Sequence, residues 1–235
     1  MNMNTVNDIR HQFLKLLRYG NSIDDKGGGT VLEIINASFI ADENSIFGDP
    51  DMNYIDREIA WYKSQSLSIN DIPGTVPKIW KDVASKDGLI NSNYGWCVWS
   101  ESNGYQYNHC LEALLNDRNT RRASMIYTRP QMQTDFCRDG MSDFMCTNAV
   151  QYLIRDGKMH ASVSMRSNDL VYGYKNDRAW AYHVLNYLMD DYNSLVLESD
   201  RVELGNIYWN VGSLHVYSKH YHLIEKHFDH EHTAG

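Results

Sequence analysis

Apolar residues recur at helical spacing near the start of the chain. The positions that share one side of a 3.6-residue repeat are Val6, Ile9, Phe13, Leu16 and Leu17. Gly20 follows this run and is typical of the end of a helix. The pattern therefore predicts an amphipathic helix over residues 5–18.

Other segments carry helical or strand patterns farther along the chain. Apolar positions at helical spacing predict helices, whereas runs rich in β-branched and aromatic residues predict strands. We expect helices over residues 55–66, 107–116 and 218–228, and strands over residues 31–41, 123–128 and 202–217, the last broken near Gly205 and Gly212. The glycine-rich segment that starts at Lys26 predicts a flexible loop.

The clearest local signal is a β-hairpin. Apolar residues alternate with polar ones on both sides of Asp156-Gly157, at positions 150, 152 and 154 and again at 159, 161, 163 and 165. An Asp-Gly pair between such runs is typical of a two-residue hairpin turn. If the turn is centred there, Cys146 lies opposite Ser167 and diagonal to Arg166.

The elements after the hairpin indicate the fold class. A helix is expected to begin at Asn176 or Asp177 as its N-cap and to end near residue 189. Helices and strands are interspersed without the regular alternation of a parallel sheet. We therefore expect an α+β fold with a mixed sheet, formed as a single domain over residues 1–235.

Composition and charge exclude several classes of protein. With 43% hydrophobic residues and 22% charged residues of both signs, the 235-residue chain can form a sizeable core and is not a disordered chain. The formal net charge of −8 argues against a general nucleic-acid surface, which needs clustered cations. A phosphorylated ligand would have to be met by a local group of arginines.

The four cysteines predict reduced thiols in a cytoplasm. Cys97, Cys110, Cys137 and Cys146 form no C-x-x-C pair, and no secretory signal or membrane-length apolar run is present. The histidines near the C-terminus, at positions 227, 230 and 232, superficially suggest a metal ligand set. A solvated tail is the better interpretation, and no metal site is predicted.

Several residues carry candidate chemistry, each with a structural alternative. Cys146 is either a small buried residue or a nucleophile whose thiol pKa is lowered by Arg166. Glu58 is either a surface residue or an acid tucked beside Trp61, which would raise its pKa. Arg121-Arg122 would bind phosphate only if the fold brings the pair to Arg166. His215 and Tyr217 share one face of a strand and could pack or contact a sugar.

The order of these residues resembles the thymidylate synthase family. That family has a nucleophilic cysteine, a downstream Arg-Ser-x-Asp, a base-reading residue eight positions after that aspartate, and His-x-Tyr near the end. The matching residues here are Cys146, segment 166–169, Asp177 and segment 215–217. Further matching segments are Arg121-Arg122, Glu58-Ile59-Ala60-Trp61, Ile79-Trp80 and Tyr94-Gly95.

The resemblance implies a large mixed sheet flanked by helices and packed back to back with that of a second subunit in a homodimer. It implies Cys146 as the nucleophile, Glu58 as the proton-handling group and Asp177 as the base-reading residue. The implied substrate-binding residues are Lys26, Tyr94, Arg121, Arg122, Arg166, Ser167, Asn168, Asp169, His215 and Tyr217, with Arg121 and Arg122 donated across the dimer. The implied folate-binding residues are Ile79, Trp80 and Asp169.

One departure from the family pattern indicates which pyrimidine base the substrate carries. Thymidylate synthases carry an asparagine at the position of Asp177, whereas a carboxylate only accepts hydrogen bonds, which suits the N4 amino group and a protonated N3 of cytosine. Together with the sequences of segments 90–96 and 141–148, this aspartate makes the chain resemble the deoxycytidylate hydroxymethylases of T-even-type bacteriophages. The implied reaction joins dCMP, 5,10-methylenetetrahydrofolate and water to give 5-hydroxymethyl-dCMP and tetrahydrofolate, for modified phage DNA.

Alternatives from two classes remain open at this point. A dUMP hydroxymethylase or a thymidylate synthase would read uracil, and a CMP hydroxymethylase would accept ribose. A non-catalytic nucleotide- or RNA-binding member of the fold would be expected to lack the cysteine or the glutamate, and both are present. The resemblance also implies that the protein is located in the cytoplasm of the host cell. It leaves open whether the protein associates with phage replication or nucleotide-synthesis proteins.

Overall fold

A six-stranded mixed β-sheet organises the chain. The computed structural model describes residues 3–25 and 29–233, with side chains described through residue 229. The strands are Ile23–Asp24 (β1), Thr30–Ile40 (β2), Ser124–Ile126 (β3), Thr147–Arg155 (β4), Lys158–Asp169 (β5) and Glu203–Tyr217 (β6). Their order is β1-β2-β6-β5-β4-β3, with β5 and β6 parallel and the other neighbours antiparallel. The predicted mixed sheet is confirmed.

Helices cover one face of this sheet and its ends. They are Val6–Tyr19 (α1), Met52–Ser64 (α2), Lys78–Val83 (α3), Tyr94–Trp99 (α4), Gln106–Asn116 (α5), Met132–Asp135 (α6), Gly173–Leu195 (α7) and Tyr221–Thr233 (α8). The predicted helices at 5–18, 55–66, 107–116 and 218–228 are confirmed with small differences at their ends. Within the described ranges, no helix combines the length and the apolar character needed to cross a membrane.

The N-terminal helix begins where its sequence favours a start. The Thr5 side chain accepts a hydrogen bond from the Asp8 backbone N–H, and the Asp8 carboxylate accepts one from the Thr5 N–H, which is a capping box. Val6, Ile9 and Phe13 lie at most 1% exposed in the core. The helix therefore covers the sheet next to β2 through its predicted apolar side.

The β4–β5 hairpin forms at the predicted turn but ends in an unpredicted bulge. Asp156 and Gly157 both have positive φ, as a type I′ turn requires. The predicted register holds as far as Ala149 opposite Ser164, and then shifts by one residue. Asn148 is the extra residue, as in a β-bulge.

The bulge corrects the expected neighbour of the cysteine. The Arg166 backbone N–H donates to the Cys146 carbonyl at 2.9 Å, so Cys146 lies opposite Arg166 and not opposite Ser167. The prediction was wrong because it extended the register of the turn through Asn148, which has no paired residue on β5. The correction brings the arginine closer to the thiol than the sequence indicated.

The helix that follows β5 begins earlier than predicted. Asp169 accepts hydrogen bonds from the backbone N–H groups of Tyr172 and Gly173 and so satisfies the start of α7. Neither Asn176 nor Asp177 is the N-cap, and the helix continues past residue 189 to Leu195. Asp177 is consequently free to turn its carboxylate toward the sheet.

The long strand β6 is continuous. Its two glycines, which were predicted to break the strand, have a different role. A Cβ at Gly205 would lie 2.7 Å from the carbonyl oxygen of Met159, and one at Gly212 would lie 2.9 Å from that of Arg166. Both glycines therefore allow β5 to approach β6 closely. The prediction was wrong because glycine here provides space and does not end the strand.

The two faces of the sheet differ in burial. Val163, Trp209 and Phe39 belong to the buried face, which packs on α1, α5 and α7. On β2 and β3, Ile35 and Ile126 are 78% and 58% exposed. The single chain leaves these apolar side chains of the sheet uncovered.

Close packing of α4 on α2 buries Tyr94, the first residue of α4. A Cβ at Gly95 would lie only 1.8 Å from the carbonyl oxygen of Tyr62. The rings of Tyr62 and Tyr94 stack with their centroids 5.2 Å apart. The position of the Tyr94 hydroxyl therefore depends on the absence of a side chain at the next residue.

We expect Gly95→Ala to lower the free energy of unfolding by about 1–3 kcal/mol, because the added methyl group forces two helices apart. Urea denaturation followed by circular dichroism measures the change. Gly29→Ala is the matched control, since a Cβ there meets only the Ser218 hydroxyl at 3.6 Å. Equal stability of the two variants would contradict this packing argument.

Candidate active site

A buried aspartate shapes the segment that precedes the cysteine. One carboxylate oxygen of Asp143 accepts from the backbone N–H groups of Asn91 and Ser92, each at 2.7 Å, and the other accepts from the Ser92 hydroxyl at 2.7 Å. Asp143 is 7% exposed. These bonds tie the segment before α4 to the loop that leads into Cys146.

The Arg166 side chain encloses the same loop from the other side. Its Nε donates to the Met145 carbonyl at 2.9 Å, and its Nη2 donates to the Phe144 carbonyl at 2.7 Å. Nη2 also lies 3.8 Å from the Cys146 Sγ. The guanidinium is therefore held in place beside the thiol while the arginine stays exposed to a ligand.

The thiol nevertheless has a raised pKa. Burial and the nearby Asp177 carboxylate raise the pKa of Cys146 to about 11, and the opposing effect of Arg166 is smaller. Arg166 lowers this pKa, as predicted, but burial and the Asp177 carboxylate raise it by more, so the predicted net lowering is not found. The cation is present as predicted, but an anion at the same site opposes it.

The Asp177 carboxylate receives a hydrogen bond on each oxygen. The Tyr94 hydroxyl donates to Oδ1 at 3.1 Å, and the Asn168 Nδ2 donates to Oδ2 at 2.8 Å. The Thr147 hydroxyl in turn donates to the Tyr94 oxygen at 3.1 Å. Burial, followed by the charge of Glu58, raises the pKa of Asp177 to about 7.

Glu58 is the acid beside tryptophan that its sequence context allowed. It is 5% exposed on α2, and the Tyr54 hydroxyl, one helical turn earlier, donates to its carboxylate. The Trp80 indole N–H donates to that hydroxyl at 2.9 Å. Burial raises the pKa of Glu58 to about 7, which decides between the two alternatives left open by the sequence, so Glu58 can hold or release a proton near neutral pH.

Cys146, Asp177 and Glu58 form one electrostatic cluster. The Asp177 charge raises the pKa of Cys146, and the Glu58 charge raises that of Asp177. The fold therefore brings together one residue from the loop before β4, one from α7 and one from α2. Beside them, Trp80 packs edge-on against Trp61 at 5.2 Å, and Ile79 on the same short helix is 61% exposed.

The predicted sugar- and phosphate-contacting residues lie along the ends of β5 and β6. Ser167 pairs with Ser213, and Asp169 pairs with His215. The His215 and Tyr217 rings lie edge to face with centroids 5.2 Å apart, which confirms that they share a face. Burial, with the charges of Asp25, Asp169 and Cys146, raises the pKa of Tyr217.

The paired arginines do not join this cluster within one chain. Arg121 and Arg122 are exposed, and the Arg121 carbonyl accepts a hydrogen bond from Gln151. Gln151 lies five positions beyond Cys146, a separation of roughly 15 Å along a strand. Lys26, the remaining predicted phosphate-binding residue, lies outside the described residues.

Three residues of the site were not found from the sequence. Thr147 and Trp209 belong to the hydrogen-bond network of Asp177, and Tyr54 holds Glu58. Tyr54 could have been found, because residues four positions apart share a helix face. No local signal marks Trp209, which meets the site only through the pairing of β5 and β6.

Comparison with known proteins assigns the family. The family model described as thymidylate synthase matches residues 50–234. The chain belongs to the thymidylate synthase family. This confirms the resemblance predicted from the order of the cysteine, Arg-Ser-x-Asp and His-x-Tyr segments.

Relatives within this family include enzymes of bacteriophages. The chain is 54% identical over 222 residues to the deoxycytidylate 5-hydroxymethyltransferases of Enterobacteria phages T4 and T2, covering 94% of this chain and 89% of each relative. It is 27% identical over 172 residues to thymidylate synthase of Bacillus atrophaeus, covering 70% of each chain.

A solved structure supports the fold. The thermostable thymidylate synthase A from Bacillus subtilis superposes with a TM-score of 0.69 at 20% identity, covering 94% of this chain and 82% of that one. This likeness confirms the predicted thymidylate synthase-like fold.

We expect Asp177→Asn to lower the pKa of the Cys146 thiol, because it removes the carboxylate whose charge, after burial, raises that pKa most. Arg166→Gln should raise that pKa. The pH dependence of alkylation by iodoacetamide, followed by mass spectrometry at Cys146, measures both shifts.

The measurement needs Cys137→Ser in every protein, since Cys137 is exposed. Asp190→Asn, an exposed aspartate farther along α7, is the charge-matched control and should leave the profile unchanged. A Cys146 profile that does not respond to Asp177→Asn would contradict the coupling.

Proposed function

We propose that the chain is a deoxycytidylate 5-hydroxymethyltransferase that works as a single catalytic domain. The observation that carries this proposal is the Asp177 carboxylate, whose two oxygens accept hydrogen bonds from Tyr94 and Asn168 and, in the ionised form, offer only acceptors to a bound base. Cytosine offers donors at N4 and at a protonated N3. The phage relatives at 54% identity bear the same activity in their names.

Cys146 is the nucleophile in this proposal. Its Sγ adds to C6 of cytosine, which turns C5 into a nucleophilic carbon. When dCMP pairs a protonated N3 with Asp177, the carboxylate charge that opposes the thiolate is compensated. Arg166, held 3.8 Å from the sulfur, then favours the thiolate form.

The one-carbon unit would come from 5,10-methylenetetrahydrofolate, which leaves as tetrahydrofolate when water supplies the hydroxyl group. Trp80 and the exposed Ile79 on α3 are the residues proposed to pack on the folate, with Asp169 as a polar contact. Their fit rests on the Trp80 indole, which is joined to Glu58 through the Tyr54 hydroxyl, and on the exposed apolar side chain of the neighbouring Ile79. Glu58, with a pKa of about 7, can give and take the protons of the transfer and of the hydration.

The remaining substrate contacts are assigned by position. His215 and Tyr217 are proposed to hold the deoxyribose hydroxyl, and Tyr94 to hold Asp177 at the base edge. The phosphate would be bound by Lys26, Arg166 and Ser167, with Arg121 and Arg122 of the partner subunit. Asn168 is the exception among the predicted substrate contacts, because its amide is engaged with Asp177 and Trp209.

A homodimer with back-to-back sheets is part of the proposal. Two observations support it: the exposed Ile35 and Ile126 on the uncovered sheet face, and the roughly 15 Å between Cys146 and the Arg121 neighbourhood of the same chain. A second sheet would cover the apolar side chains. It would also explain how a distant arginine pair reaches a phosphate.

We expect the purified protein to convert dCMP, and not dUMP, when incubated with labelled methylenetetrahydrofolate. The label should appear in 5-hydroxymethyl-dCMP, without the absorbance of dihydrofolate. Cys146→Ser should reduce turnover by about 1,000-fold or more, because a hydroxyl is a far weaker nucleophile. Turnover of dUMP alone would overturn the proposed substrate, and dihydrofolate formation would indicate a thymidylate synthase.

Mixed dimers test the arginine donation. We expect dimers of Arg121→Ala/Arg122→Ala and dimers of Cys146→Ala to be inactive separately. Subunit exchange should restore activity, because a hybrid has one site with an intact cysteine and intact arginines from the other subunit. No activity after verified exchange would contradict donation across the interface.

A further inference from the structure

The side chain of Asn168 connects Asp177 to the interior of the sheet. It is 2% exposed at the end of β5, and its Nδ2 donates to the Asp177 Oδ2 at 2.8 Å. Its Oδ1 accepts from the Trp209 indole N–H at 3.2 Å. Trp209 lies on the neighbouring strand β6 and is fully buried.

This arrangement leaves the Asn168 amide only one orientation. An indole N–H can donate and cannot accept, so the amide oxygen has to face Trp209 and the amide nitrogen has to face Asp177. The indole itself is held by edge-to-face packing on Tyr174 at 5.5 Å. A Cβ at Gly173 would lie 3.1 Å from the Asn168 nitrogen, so the space around the amide is also confined.

The other partner of Asp177 is adaptable. Tyr94 donates its hydroxyl hydrogen to Asp177 and accepts one from Thr147. Both groups are hydroxyls, and a pair of hydroxyls can reverse the direction of its hydrogen bonds. Of the two hydrogen bonds that the described part of the chain makes to Asp177, the one from Asn168 imposes a fixed polarity on the residue at position 177.

We propose that Asn168, oriented by Trp209, is a specificity-determining positioning residue for the base. The Asn168 amide nitrogen requires a hydrogen-bond acceptor at the position of the Asp177 Oδ2. Asn168 thereby determines which base the side chain at position 177 can recognise by hydrogen bonding. This inference rests on the proposed function and adds a residue that acts through Asp177 without touching the substrate.

The consequence is sharpest for the amide that Asp177→Asn introduces. Opposite Asn168, the oxygen of this amide has to occupy the Oδ2 place and its nitrogen the Oδ1 place. Opposite an aspartate at position 168, the amide has to turn over. One orientation complements O4 and N3–H of uracil, and the reverse complements N4–H and the neutral N3 of cytosine.

The test compares Asp177→Asn with the double variant Asp177→Asn/Asn168→Asp. The double variant keeps one buried carboxylate, which accepts from both Trp209 and the new amide. Values of kcat/KM for dUMP and dCMP are measured, together with calorimetric binding of each nucleotide without folate. The dUMP-to-dCMP ratio should differ by about tenfold or more between the two proteins, because a mismatched orientation leaves a buried donor unpaired. Equal ratios would overturn the proposal.

A second variant serves if the double variant does not fold. Trp209→Phe in the Asp177→Asn background removes the indole N–H and frees the Asn168 amide to turn. The base preference of Asp177→Asn should then weaken by about fivefold or more, since both orientations become available. Trp99→Phe is the matched control and should leave the ratio unchanged. A ratio unaffected by Trp209→Phe would also overturn the proposal.

The wild-type protein separates this inference from the proposed function. If the wild type converts dUMP and not dCMP, the proposed function fails. If the wild type prefers dCMP but the variants share one ratio, only the role of Asn168 fails.

Discussion

A buried carboxylate that accepts hydrogen bonds on both oxygens is the constraint on which this site depends. Asp177 lies inside α7, and its partners Tyr94 and Asn168 come from α4 and β5. Each partner is itself positioned, Tyr94 by the close packing that Gly95 permits and Asn168 by Trp209. Since an unpaired buried carboxylate is costly, the helix, the sheet and the short helix α4 have to meet in one arrangement.

The same carboxylate sets the reactivity of the cysteine. Burial raises the pKa of Cys146 most, and the Asp177 charge then opposes the thiolate more strongly than Arg166 favours it, which together give a pKa of about 11. A ligand that brings a proton or positive charge to Asp177 removes this opposition. In the proposed reaction, base recognition and activation of the nucleophile are therefore coupled through the charge of Asp177.

Local patterns predicted the elements better than their junctions. The α1 helix, the hairpin turn and the mixed sheet were predicted because each depends on residues close in sequence. The bulge at Asn148, the early start of α7 and the continuous β6 were not, because each depends on a neighbouring strand or on Asp169. Glu58 depends on both local sequence and tertiary structure. Its sequence context allowed a raised pKa, and its burial on α2 produces the increase.

Residue identity and spacing alone indicate the family, the order of the candidate site residues and the replacement of an amide by a carboxylate at position 177. The three-dimensional arrangement of the chain sets which groups act on one another. It placed Arg166 directly opposite Cys146, set the charge of Asp177 against the thiol and oriented Asn168 through Trp209. Electrostatic and hydrogen-bond energies depend on distances of a few ångströms, and strand pairing and helix packing alone bring residues so far apart in sequence within that range.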